Sequence, residues 1–233
     1  MDSEASSADK LRLTIGILIA FLFAPLMGHF LFVGAYNART IFYSRFLFWI
    51  EVAMLFGYTR WIEQGDFFIW PSIRYDLKFY LGSFGALYLL VIGAGIVSNL
   101  PRLFGVPANR QMIQLMATFL YHNMPLLILS VFTAGFTEEM IFRAYLVPRL
   151  EIIFNNKYMP VLISALMFAA LHFRYHSLEE LLFAFLFGVV FAIHYQWYRN
   201  ITILIITHAI VDLVAFLLTG FAEAYKHAHH IVS

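Results

Sequence analysis

The sequence predicts an all-α fold: a polytopic bundle of transmembrane helices with about seven spans, within a range of six to eight. Three observations predict it. Only 12% of the 233 residues are charged and 62% are hydrophobic, where a soluble domain carries about 25% charged residues. Long runs without Asp, Glu, Lys or Arg recur, among them 13–36 and 79–97, and about 20 helical residues cover the hydrocarbon of a bilayer. At that segment length only helices satisfy their own backbone in lipid. No stretch has linker composition, so 1–233 reads as a single membrane domain. The formal net charge of +1 offers no argument for a nucleic-acid partner. With no cysteine, a disulfide framework, a thiol nucleophile and a Cys-ligated metal are all excluded.

The first twelve residues are polar and of mixed charge, and the apolar run 13–36 follows. A signal-peptide core is about 7–15 residues long, so this longer run reads as a retained first span. The second candidate, 41–58, holds Arg45 and Glu51. Arg45 can snorkel from a helix end, whereas Glu51 lies deeper and needs a partner or a wet surface. Gly65, Asp66, Pro71, Arg74 and Asp76 mark an extramembrane loop flanked by Trp61 and Trp70, aromatic residues suited to interface depth. In 79–97, Gly82, Gly85, Ala86, Gly93 and Gly95 suit close approach between helices. An interfacial or continuing helix is expected over 110–122, with Pro125 kinking or restarting it. The next helix should run to about Pro148. Spans are expected over 158–173, 181–198 and 201–221, followed by a polar tail. Lys and Arg divide almost evenly between the two sides, so the positive-inside rule assigns no orientation.

One stretch resists a purely structural reading. Residues 111–137 contain no Asp, Glu, Lys or Arg, and then Glu138, Glu139 and Arg143 fall within six residues. A charge near a bilayer centre costs about 2.5–3.5 kcal/mol, so three approach about 7–10 kcal/mol before any pairing. Glu139 and Arg143 are four apart with the acid first, the favoured order for an ion pair along a helix. Glu138 lies about 100° away around the axis and is left to face a cavity. A buried carboxyl beside a like charge suits acid–base work near neutral pH. His172 closes the 158–173 span, with Phe168 one turn earlier on the same face. His208 and Asp212, again four apart, share a face of the last span. Carboxylate and imidazole together can deprotonate a water, and a further polar group can steady the oxyanion formed at a carbonyl. Ser164 and Thr207 read as helix-packing hydroxyls. His122, His176 and His194 read as interfacial, and His227, His229 and His230 as a solvated tail.

In order, Glu138-Glu139-x-x-x-Arg143, Phe168-x-x-x-His172 and His208-x-x-x-Asp212 resemble the three motifs of the CAAX-protease and bacteriocin-processing (CPBP, or Abi) family. These are intramembrane glutamic endopeptidases related to type II CAAX prenyl endopeptidases. The resemblance covers 136–213; the N-terminal part, 1–110, is divergent and is where specificity is expected. It implies that Glu138 and His172 activate the hydrolytic water and that Glu139 and Arg143 shape the site. It also implies that His208 and the residue four further on stabilise the oxyanion. Two positions depart from the pattern: Ala144 follows Phe142-Arg143 where members often have Gly, and Asp212 stands where the prenyl endopeptidases have Asn. An ionised Asp would repel an oxyanion, so Asp212 is either protonated or orients His208 instead, and orientation is the expected role.

The expected activity is therefore hydrolysis of a membrane-associated peptide or protein, with the lipid bilayer as the other partner and no cofactor. The expected location is the plasma (inner) membrane, or the endoplasmic reticulum for a eukaryotic source. Two alternatives stand beside it. A zinc-dependent protease would use His172, His208 and a carboxylate from Asp212 or Glu138, although no His-Glu-x-x-His helix supports it. A non-catalytic scaffold, immunity protein or transporter would use the same buried acids for another end.

Overall fold

The computed structural model describes residues 6–31 and 37–229; the end of the first apolar run and His230 lie outside these. Every regular element among them is helical. In chain order they are α1 (Ser7–Leu31), α2 (Ala38–Tyr58), α3 (Leu77–Ser98), α4 (Gln111–Tyr121), α5 (Met124–Glu139), α6 (Val147–Phe154), α7 (Tyr158–Leu171), α8 (Leu178–Tyr198) and α9 (Ile201–Ala228). Seven stretches of the described residues are long and apolar enough to cross a membrane, and α5 and α6 belong to one of them. The outward faces stay apolar, as at Leu81, Leu89 and Ile96 on α3, which suits lipid as solvent. This is an integral membrane protein.

Local chemistry explains where the helices begin. Asn37 and Thr40 cap the start of α2 reciprocally, and Asp76 caps α3 through Phe79 N at 2.9 Å. Asn123 caps α5, with Pro125 in its first turn, so the proline restarts a helix where its missing N–H is harmless. Ser177 and Asn200 cap α8 and α9. Side-chain oxygens thereby satisfy amide groups that a helix start leaves unpaired.

Three expectations are corrected. The glutamate helix does not stop near Pro148. It passes through a π-helical segment, Met140–Leu146, and continues as α6 to Phe154. A proline lacks its own donor and crowds the preceding turn, and the wider π turn is one way a continuous helix absorbs that defect. The glycines of α3 do not mediate close approach, since a Cβ at Gly82, Gly85, Gly93 or Gly95 would meet nothing within 4 Å. Close packing is made instead by Gly135 against Ala209 and Gly188 against Ala165. The last span does not end at 221, because α9 extends to Ala228 and Gln114 of α4 donates to Glu223 at 3.1 Å, while His227 and His229 stay exposed as expected of a solvated tail.

A second polar cluster pins α6 to the end of α2. Arg149, fully buried, donates to both oxygens of Glu63, with Nη2–Oε2 at 2.6 Å, and to the carbonyls of Phe67 and Tyr145. Tyr145 donates to the same Glu63 at 2.6 Å. The loop after α2 then covers the α8–α9 turn: Trp70 lies against Tyr195, and Asn200 donates to the carbonyl of Ile73.

Candidate active site

Four elements bring the polar side chains together. Glu138 and Glu139 end α5, Arg143 lies in the π segment, His172 begins a 3-10 turn, His172–Tyr175, at the end of α7, and His208 and Asp212 project from α9. Gly135 sets the spacing between α5 and α9. A Cβ there would fall 2.9 Å from Ala209 N and 3.1 Å from the carbonyl of Ile205. The backbones are close because glycine lets them be, and Glu139 follows one turn later, opposite His208. Gly135→Val is therefore expected to destabilise the protein by about 1–3 kcal/mol and to pull Glu139 from His208, read as thermal unfolding in detergent alongside activity.

Arg143 and Glu139 are both fully buried, and Nη1 donates to Oε1 at 2.9 Å. The guanidinium also lies 4.6 Å from the centre of the Phe168 ring, with Phe187 and Phe191 at 5.7 and 5.5 Å. Its Nε and Nη2 find no hydrogen-bond acceptor, so ring faces take that part of the cation's field. Phe168, placed by sequence on the His172 face, is thus also a wall for Arg143. Ser164 behaves as the packing hydroxyl expected of it, donating to the carbonyl of Phe142 in the π segment at 2.9 Å. Thr207 is buried with its hydroxyl unpartnered.

The histidines are held differently. His172 Nδ1 lies 2.9 Å from the carbonyl of Phe168. A carbonyl only accepts, so Nδ1 carries the proton and Nε2 is the ring's acceptor. His208 Nδ1 lies 2.8 Å from Glu139 Oε1, and its Nε2 faces Asp212 Oδ2 at 3.6 Å and Glu138 Oε2 at 3.9 Å. The hydrogen bond to His208 comes from Glu139, with Arg143 behind it, while Asp212, expected to orient this ring, stands 3.6 Å from its Nε2. An i,i+4 pair on one helix was visible in sequence, whereas a bond across 69 positions was not. Glu138 and Asp212 keep partly accessible side chains, at 14% and 28%, while Glu139 has none. Glu138 is partly accessible and its neighbour is fully buried.

These residues lie beside a largely apolar cleft of about 300 Å³. Phe21 and Pro25 of α1, Phe48 of α2, Met116 of α4 and Leu171 and Tyr175 at the end of α7 line it, together with Arg45 and Arg174. Tyr175 touches the His172 ring, and Arg45 lies within electrostatic reach of Glu138 and Asp212. Among the described residues, no group of three His, Cys, Asp or Glu side chains is arranged to hold a metal ion.

Residues 120–214 match the family model described as Type II CAAX prenyl endopeptidase Rce1-like. This segment is similar to that endopeptidase family. The Rce1-like segment contains Glu138, Glu139, Arg143, His172, His208 and Asp212, and its family is one of proteases. It begins within α4 and leaves α1, α2 and α3 outside, so most of the cleft wall lies beyond the matched region. No curated protein and no solved structure matches the chain.

Two features of the site were not assigned from sequence. Glu139 was paired with Arg143 but not with His208, and α8 had no expected role although Phe187 packs 4.8 Å from the His208 ring. His194, expected at the interface, is buried and lies 4.7 Å from Tyr198, ring to ring.

Proposed function

We propose that this protein is a glutamic intramembrane endopeptidase that hydrolyses a peptide bond of a membrane-associated substrate with a water activated by Glu138 and His172. The observation that carries the reading is the division of the acid pair: Glu139 is consumed by Arg143 and His208, while Glu138 remains accessible beside them. A carboxylate meant only to neutralise the cluster would have no reason to stay open.

In the reaction, Glu138 and the Nε2 acceptor of His172 take a proton from water, and the hydroxide attacks the scissile carbonyl. The C–O bond forms as the carbonyl pair moves onto oxygen. His208, carrying protons on both ring nitrogens, donates through Nδ1 to Glu139 and through Nε2 to the oxyanion. Asp212 Oδ2 lies 3.6 Å from that Nε2. Collapse breaks the C–N bond, and the proton taken from water returns to the leaving amine. The apolar cleft accommodates side chains or a lipid-like anchor next to the scissile bond, and the plasma membrane is the location we propose.

The test compares peptides in membranes carrying the wild type or Glu138→Ala, by mass spectrometry, with a metal chelator present throughout. Cleavage by the wild type alone is the expected result. Full activity in a folded Glu138→Ala protein would sink the mechanism. Loss of wild-type activity to the chelator, restored by zinc, would turn His172, His208 and Asp212 into metal ligands.

A further inference from the structure

Glu51 is a buried acid that the mechanism above does not use. It sits on α2, outside the family-matched segment, at 2% exposure, and its Oε1 is buried without a hydrogen-bond partner. Glu138 lies within its electrostatic reach. On the helix it lies one turn beyond Leu47 and Phe48, which line the cleft, so it stands where that face runs inward. The helix is fixed against α5 there: Trp49 donates to Thr133 at 3.1 Å and stacks on Phe136 with centroids 5.0 Å apart. Thr133 and Phe136 lie in the turns just before Glu138.

An unpartnered carboxyl in an apolar bundle destabilises it, and Leu or Met would fill the position without that penalty. Two carboxylates within electrostatic reach of each other repel, unless one proton is shared between them directly or through a water. In that arrangement one carboxyl donates, the other accepts, and the accepting oxygen is fixed in place. We propose that Glu51 is a positioning residue for catalysis. From α2 it holds the Glu138 carboxyl and the hydrolytic water in the attacking geometry, while His208, Glu139, Arg143 and Asp212 hold them from α5, the π segment and α9. The inference rests on the protease reading and extends the site beyond the Rce1-like segment.

Glu51→Leu and Glu51→Gln distinguish this role from packing. In Glu51→Leu, kcat should fall about tenfold to a hundredfold, the scale of a misplaced reacting group, with KM held within about twofold. Its melting temperature should be no lower than that of the wild type. Glu51→Gln, whose amide can still donate to Glu138, should recover most of kcat. Wild-type kcat in Glu51→Leu overturns the proposal. So does an activity loss that tracks a fall in melting temperature and is not relieved by Gln, because that is the signature of packing. Wild type and Glu138→Ala run alongside: product from the wild type with unchanged Glu51→Leu defeats this inference alone, and no product from the wild type defeats the protease reading and this inference with it.

Discussion

Arg143→Leu is expected to lower stability by about 3–5 kcal/mol, the effect of breaking a buried ion pair by removing one partner. Leu replaces the volume but leaves Glu139 with its charge and only His208 for a partner. The loss should exceed that of a simple cavity, because the guanidinium also sits among Phe168, Phe187 and Phe191. Arg143→Lys should recover part of the stability, since an ammonium can reach Glu139 but cannot lie flat among the rings. The double variant Arg143→Leu/Glu139→Leu should be more stable than Arg143→Leu alone, because apolar replacement of both partners avoids the stranded charge. It should still be inactive, because His208 then loses the carboxylate that orients it. Thermal unfolding in detergent with a peptide-cleavage assay on the same preparations reads both effects. An Arg143→Leu protein of wild-type stability would mean that Glu139 does not depend on it.

What sequence could and could not show follows from the range of each interaction. Glu139–Arg143 and His208–Asp212 are one helical turn apart, so spacing put each pair on a common face. The first pair is a hydrogen bond at 2.9 Å, but the second stands at 3.6 Å. The bond that fixes His208 comes instead from α5, and only the packing of Gly135 on Ala209 brings it within reach. The same holds for Glu63 and Arg149, which are 86 positions apart and pair at 2.6 Å in a place where neither stood out. The α3 glycines misled for the opposite reason: composition signals that a close approach is possible, but only a partner's position says whether it happens. The π segment was invisible because no residue demands it; Pro148 merely makes it useful.

The pairing of Glu138 with His172 makes the sharpest kinetic claim. Each belongs to a different helix, and each has been left with capacity that no structural role consumes. Glu138 keeps a partly accessible side chain, and His172, with Nδ1 committed to the Phe168 carbonyl, keeps Nε2 as an acceptor. If both act on one water, Glu138→Gln and His172→Gln should each lower kcat by about 10²–10⁴-fold, the scale of general acid–base catalysis. The double variant should then lose little beyond the worse single one, because groups that act as a unit are non-additive. Losses that multiply would instead assign the two side chains to separate steps, water activation for one and leaving-group protonation for the other. Neither single variant should lower the melting temperature, since Glu138 is part-exposed and its substitution strands no cation that Glu139 and Asp212 do not also serve. A His208→Gln variant would not share that tolerance. Glu139, fully buried between His208 and Arg143, would lose one of its two partners, and activity and stability would fall together.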